Sequence, residues 1–165
     1  MTDSEIMDSE RYFVMQGRRW RKTDPSIPPL LNKQLVRELM SARRAVRSAK
    51  SADDDKAMAQ ARQRVRDAKI SLGERGHPWW EPLTEQSLAI RLEATIRCLL
   101  RSREHGKTIC PSEAARVVGS DQWRDLLPAT IELAWALERN GWLHVTQKGE
   151  RVSYPTTGAV RLRRS

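Results

Sequence analysis

The sequence predicts a mainly helical protein with a small β component, and three observations lead there. Apolar residues recur at steps of three and four through most of the chain, the period of a one-sided helix. Alternating, β-like stretches are few and short. The 165 residues suffice for one ordinary domain or two small ones.

Residues 1–10 are acidic and polar and read as a disordered tail. They lack the basic and apolar regions of a secretory signal, so the protein is expected in the cytoplasm. In "RYFVMQGRRWRKT", β-branched and aromatic residues flank Gln16-Gly17, which predicts a short hairpin. Such a hairpin is marginal alone in water and must lean on something else. "TDPSIPP" is a turn, with prolines that fix the backbone and Asp24 as a side-chain cap.

Two helices follow. Leu35, Leu39, Ala42, Val46 and Ala49 form the stripe of the first; Met58, Ala61, Val65, Ala68 and Leu72 form that of the second. "SADDD" lies between them, its acids suited to the positive N-terminal end of the second helix. Gly73, Gly76 and Pro78 end that helix. So short a link implies an antiparallel helical hairpin. Its other faces carry Arg37, Arg43, Arg44, Arg47, Lys50, Lys56, Arg62, Arg64, Arg66 and Lys69. They are either a solvated surface or an arm that faces phosphates or a partner. In "GERGHPWWEPL", Trp79 and Trp80 cannot both point the same way along an extended chain. At least one is expected to anchor in the C-terminal half; base stacking is the other reading.

Leu88, Leu92, Ile96 and Leu99 define a helix over 85–103, with Glu85, Arg91, Glu93, Arg97 and Arg101 mostly off the stripe. "GKTIC" is β-like. "PSEAARVVG" starts a helix at Pro111, Ser112 and Glu113 and stops at Gly119. "SDQWRDLLP" restarts with Ser120 or Asp121 as cap; Leu127, Ile131, Ala134 and Trp135 continue the apolar face, and Pro128 is expected to kink or split it. "WLHVTQ" and "RVSY" pair through Lys148-Gly149, and "AVRLRR" closes the chain. Helix, short strand, helix, helix, strand, strand is the order of a winged helix-turn-helix. The expected organisation is a tail over 1–10, a hairpin and basic arm over 11–82, and a winged-helix domain over 83–165.

"KTICPSEAARVVGSDQWRDLLP", "VTQKG" and "AVRLRR" together resemble a bacterial domain-of-unknown-function family of small winged-helix-like proteins, over about residues 86–164. "GRRWRKTDPSIP", "ELMSARRAV" and "GERGHPWWEP" are similar to the extension of its longer members. Some members carry a biopolymer-transporter (Tol) label. The resemblance implies the fold and no catalytic residue. "SYPTTGAV" departs from the family pattern at the final turn.

The net charge of +9 and pI of about 10.2 suit phosphate backbones or other acidic partners. The expected function is non-specific binding of DNA or RNA. The candidate contacts are Lys148 and Arg151 in the wing, Arg161, Arg163 and Arg164 at the terminus, Arg124 near the recognition helix, and Arg43, Arg44 and Arg47 on the arm. The recognition helix, "PATIELAWALERN", lacks base-reading side chains, and Glu132 would repel phosphate. The alternative is a protein-contact or dimerisation module using Leu133 and Trp135, although at least two of Trp123, Trp135 and Trp142 should be core.

An enzyme is not expected. There is no nucleophile–base set; "GERG" is too short for a phosphate loop; Ser112-Glu113 reads as capping. Cys98 and Cys110, with His77, His105 and His144, form no metal-ligand pattern, and no cofactor is expected. The mean hydropathy is −0.67 and no apolar run reaches membrane-spanning length, so no membrane association is expected.

Overall fold

A computed structural model describes residues 2–165. The expected tail is instead a helix, α1 (Asp3–Arg11), held by a capping box: the Thr2 side chain accepts from the Glu5 N–H, and the Glu5 carboxylate accepts from the Thr2 N–H at 2.8 Å. None of its residues is buried, so capping rather than packing defines it. Strands β1 (Tyr12–Met15) and β2 (Arg18–Arg21) pair antiparallel with Phe13 opposite Trp20. Gln16 and Gly17 both have positive φ, as a two-residue hairpin turn requires.

The chain then turns at Asp24, whose carboxylate accepts from the N–H and hydroxyl of Ser26 at 2.9 and 2.7 Å. Helix α2 (Pro29–Ser51) begins on a proline at its first position, where no amide donor is needed. Helix α3 (Asp55–Ser71) is capped by Asp54, which accepts from Ala57 N–H at 2.9 Å. Gly73 ends it at φ +77, and Glu74 N–H satisfies the Lys69 carbonyl at 2.9 Å. The two helices pack as a hairpin, with Arg64 of α3 gripping Glu38 of α2 by two bonds of 2.7 and 3.0 Å.

Helix α4 (Glu85–Ser102) packs on this hairpin and also on α5 (Pro111–Gly119) and α6 (Trp123–Arg139). One buried cluster therefore crosses the position where the sequence suggests a division. Leu35 and Leu72 of the hairpin, both fully buried, join Leu92, Ile96 and Leu99 of α4 and reach Val145 and Leu162. Because α4 has neighbours on several sides, charged residues expected off its stripe turn inward. Arg91 meets Asp24 at 2.8 Å, and Arg101 meets Asp67 at 2.7 Å.

A single 3-10 turn, Ser120–Gln122, joins α5 to α6, and neither Ser120 nor Asp121 caps α6. Helix α6 runs unbroken through Pro128 rather than splitting. The ring's missing N–H costs one backbone bond near the helix start, where few are yet made.

Strands β3 (Thr108–Ile109), β4 (Leu143–Gln147), β5 (Glu150–Arg151) and β6 (Arg161–Arg164) form one antiparallel sheet in the order β3-β6-β4-β5. The expected "RVSY" strand is thus only two residues long. The terminal segment is not an appendage but an inner strand: Leu162 pairs with both Ile109 and Val145, and all three side chains are fully buried.

Candidate nucleic-acid interface

Strand alternation sorts the basic residues of the sheet. Arg163 lies opposite both Thr108 and His144, and Thr146 lies opposite both Arg161 and Arg151. These residues therefore belong to the face turned away from Leu143, Val145 and Leu162. The β4–β5 turn is Lys148-Gly149, with φ +51 and +85, a two-residue hairpin turn that carries an exposed lysine at its tip.

The partners of these cations differ. Arg161 donates to Thr108 Oγ1 at 2.6 Å, and Arg163 donates to the Gly149 carbonyl at 3.3 Å. Both acceptors are neutral, so the guanidinium charges stay uncompensated. Arg151 pairs with Glu138 of α6 at 3.1 Å, and that carboxylate also accepts from Val145 N–H at 3.2 Å. Arg151 is therefore partly neutralised.

The structure brings Lys148, Arg151, Arg161 and Arg163 together on one sheet and its tip. It does not bring the other candidates there. Arg164 is exposed but alternates to the opposite side of β6. Arg124 lies in the first turn of α6 over the Trp123 ring, 4.6 Å from its centroid, and Arg116 stands equally close to the same ring. Arg43, Arg44 and Arg47 are exposed along α2, where no hydrogen bond or ion pair among the described residues ties them to the sheet.

The aromatic residues meet one expectation and correct another. Trp135 is 5% exposed, with its ring edge-on to Tyr154, and so belongs to the core, as expected of at least two of the three tryptophans, rather than to the surface. Trp142 packs against the core beneath Arg97, so Trp135 and Trp142 are both structural. Trp79 and Trp80 do not anchor in the C-terminal half. Trp79 Nε1 donates to the Lys22 carbonyl at 3.1 Å, and Trp80 meets the Tyr12 ring edge-on at 5.4 Å. They support the N-terminal hairpin, which had to lean on something to be stable.

Two residues escaped sequence reading. Lys69, expected among the arm's surface cations, has a buried side chain, and Trp20 Nε1 is buried without a partner. The signal for Lys69 was its position: four residues after Val65 and three before Leu72, it belongs to the apolar stripe. Trp20 carried no comparable signal, because its enclosure comes from helices distant in sequence.

No group of three or more His, Cys, Asp or Glu among the described residues is arranged to hold a metal ion. Both cysteines are free thiols; burial pushes the Cys98 thiol well above its ordinary value. Glu113 closes the start of α5 by accepting from Cys110 N–H at 2.7 Å and also pairs with Arg103, a structural role as expected. No helix among the described residues is long and apolar enough to cross a membrane.

Residues 89–165 match the model of a family described as a protein of unknown function, DUF3253. The match covers nearly the residues on which the sequence resemblance to a domain-of-unknown-function family rests. It begins within α4 and takes in all four strands of the sheet. No curated protein matches the chain.

Proposed function

We propose that this is a cytoplasmic protein that binds DNA or RNA through the phosphate backbone, with residues 83–165 acting as a winged helix-turn-helix domain and β4–β5 as its wing. The observation that carries the reading is the pair Arg161 and Arg163. They lie on one face of an inner strand, and their guanidinium groups have only neutral hydrogen-bond partners. Lys148 adds a third charge at a turn tip narrow enough to approach a groove closely.

Such contacts give affinity without choosing a sequence. The helix that would enter the groove supports that limit. Ala134, Trp135 and Leu137 of α6 are buried, and its exposed Glu132 is the wrong charge for a base-reading surface near phosphates. Each phosphate neutralised releases counterions and adds about 0.9 to the slope of log K against log salt. Lys148, Arg161 and Arg163 together therefore account for a slope of about −3, and contacts from the arm would steepen it.

The test is a salt-titrated binding assay on random double-stranded DNA, single-stranded DNA and RNA. The triple change Lys148→Gln, Arg161→Gln, Arg163→Gln is run beside the unaltered protein. The slope should flatten by roughly 3 and affinity should fall on every sequence alike. Binding that is absent at low salt, or unchanged in the triple variant, rejects this reading of the sheet.

A further inference from the structure

A cavity of about 630 Å³ lies between the N-terminal hairpin and the helical hairpin, well away from the sheet. That volume falls in the usual range for small-molecule sites, about 300–1,000 Å³. Phe13 and Met15 of β1 and Val36, Leu39 and Met40 of α2 make its apolar walls. Arg21, Lys22, Thr23, Arg43, Lys69 and Glu74 supply its polar groups, and the Trp20 ring lies among them.

Two of the lining side chains, Lys69 and Trp20, have no polar partner among the described residues. Lys69 is 9% exposed, yet its ammonium makes no hydrogen bond and no ion pair among the described residues. It stands 5.0 Å from the centroid of the Trp20 ring, a cation–π contact that satisfies none of its three donors. Trp20 Nε1 is buried and also unpartnered. Glu74 at the rim accepts from the Thr23 hydroxyl at 2.7 Å and keeps its negative charge, but the lining cations Arg21, Lys22, Arg43 and Lys69 outnumber it. Burial, only partly opposed by Glu74, holds the Lys69 ammonium below its ordinary pKa, and Arg43 and Arg75 push the same way.

The Lys69 side chain is buried along its stem, while its ammonium opens to the cavity without a counter-ion. A bound group that is anionic at one end and apolar along its body would supply that counter-ion and cover the walls. An inorganic phosphate fits poorly, because five apolar side chains cannot replace its hydration. We propose that this cavity binds a small monocarboxylic acid with an alkyl or aryl body, its carboxylate held by Lys69 and Arg43 and its body laid over Phe13, Met15, Val36, Leu39 and Met40 beside the Trp20 ring. The proposal shares only Arg43 with the nucleic-acid reading and uses neither the four-stranded sheet nor its tip, so its failure and that of the nucleic-acid reading are separable.

The experiment uses the full chain with three eight-carbon probes, octanoate, octan-1-ol and octylammonium, and with 2-naphthoate as an aryl acid. Binding is followed by calorimetry and by the indole N–H signals of the six tryptophans. Octanoate or 2-naphthoate should bind saturably below about 1 mM and shift the Trp20 signal, which is identified by its loss in Trp20→Phe. Octan-1-ol should bind at least about tenfold more weakly than octanoate, and octylammonium should not compete. Lys69→Met keeps the apolar stem of the side chain. It should weaken octanoate about tenfold or more while leaving octan-1-ol within about twofold. The proposal is overturned if neither acid binds saturably, if alcohol and acid bind alike, or if the Trp20 signal stays still while others move. The comparison of acid and alcohol needs only the unaltered protein, so it stands even if a variant fails to fold.

Discussion

Arg91 and Asp24, 67 residues apart in the chain, meet at 2.8 Å with side chains that are 6% and 5% exposed. The guanidinium also reaches the Ser71 carbonyl at the end of α3 through two bonds of 3.3 Å. One arginine of α4 thus fastens the turn before α2 and the last turn of α3. Those are the two points at which the helical hairpin joins the rest of the molecule.

Arg91→Leu should therefore destabilise the whole protein and not just α4. It strands a buried carboxylate that keeps only its bonds to Ser26, and it frees the Ser71 carbonyl. Breaking one side of a buried pair costs about 3–5 kcal/mol. Adding Asp24→Asn removes the stranded charge and should recover part of the loss. Urea unfolding of both variants measures this. A cost below about 1 kcal/mol for Arg91→Leu would mean the pair is not what joins the two parts.

Gly73 tests the same junction through the backbone. Its φ is +77, and a Cβ there would lie 3.1 Å from Asp24 Cβ and 3.1 Å from Trp79 Cδ1. Gly17 has φ +72 but nothing within 4 Å of an added Cβ. Both alanine substitutions carry the left-handed strain of about 1 kcal/mol; only Gly73→Ala adds crowding against fixed neighbours, about 1–3 kcal/mol more. Melting temperatures of the two variants compare them directly, and equal losses would show that the junction can relax.

How much of this was readable in the sequence depends on distance along the chain. The stripe from Leu35 to Ala49, the Asp54 cap and the stop at Gly73 depend on neighbours within a few residues, and the structure has each of them. Arg91 looked like a surface residue of α4 because its partners, Asp24 and Ser71, lie on other elements. The burial of Lys69 is hidden for the same reason: its place on the stripe is legible, but the hairpin that covers it is not. The two-residue length of β5 and the inner place of β6 come from strand pairing, which periodicity does not encode. The sequence groups Arg161, Arg163 and Arg164 together, but the register of β6 separates Arg164 from the other two, and the Arg151–Glu138 pair joins a strand to a helix.

The thiols should report folding. Cys98 is fully buried, whereas Cys110 is partly exposed at the start of α5. A thiol reagent should modify Cys110 in the folded protein and reach Cys98 only as the protein opens, with a rate that follows denaturant. The folded state holds the Cys98 proton more tightly than the unfolded chain does. Its contribution is therefore intact below the ordinary thiol pKa, about 8.5, and is lost as pH rises beyond it. Lys69, whose pKa is lowered, acts with the opposite sign at alkaline pH, but equally in both proteins compared. Stability measured from pH 8 to 10 should fall less in Cys98→Ala than in the unaltered protein, and identical slopes would refute the assignment.

Glu138 offers a test of the proposed phosphate-binding face by gain rather than loss. Its carboxylate accepts from Val145 N–H at 3.2 Å and from Arg151 Nε at 3.1 Å. A glutamine there still presents a carbonyl oxygen to Val145 N–H, so the start of the sheet keeps its support. What changes is the charge: Arg151 loses its counter-ion next to Lys148, in the strand paired with Thr146. If the sheet binds phosphate, Glu138→Gln should tighten binding several-fold at low salt and steepen the salt slope by about 1, one more phosphate contact. Adding Arg151→Gln should return both quantities to the starting values, which separates the freed arginine from a change in fold. A Glu138→Gln protein that melts normally and binds no more tightly would remove Arg151 from the interface, leaving Lys148, Arg161 and Arg163 to account for any binding that remains.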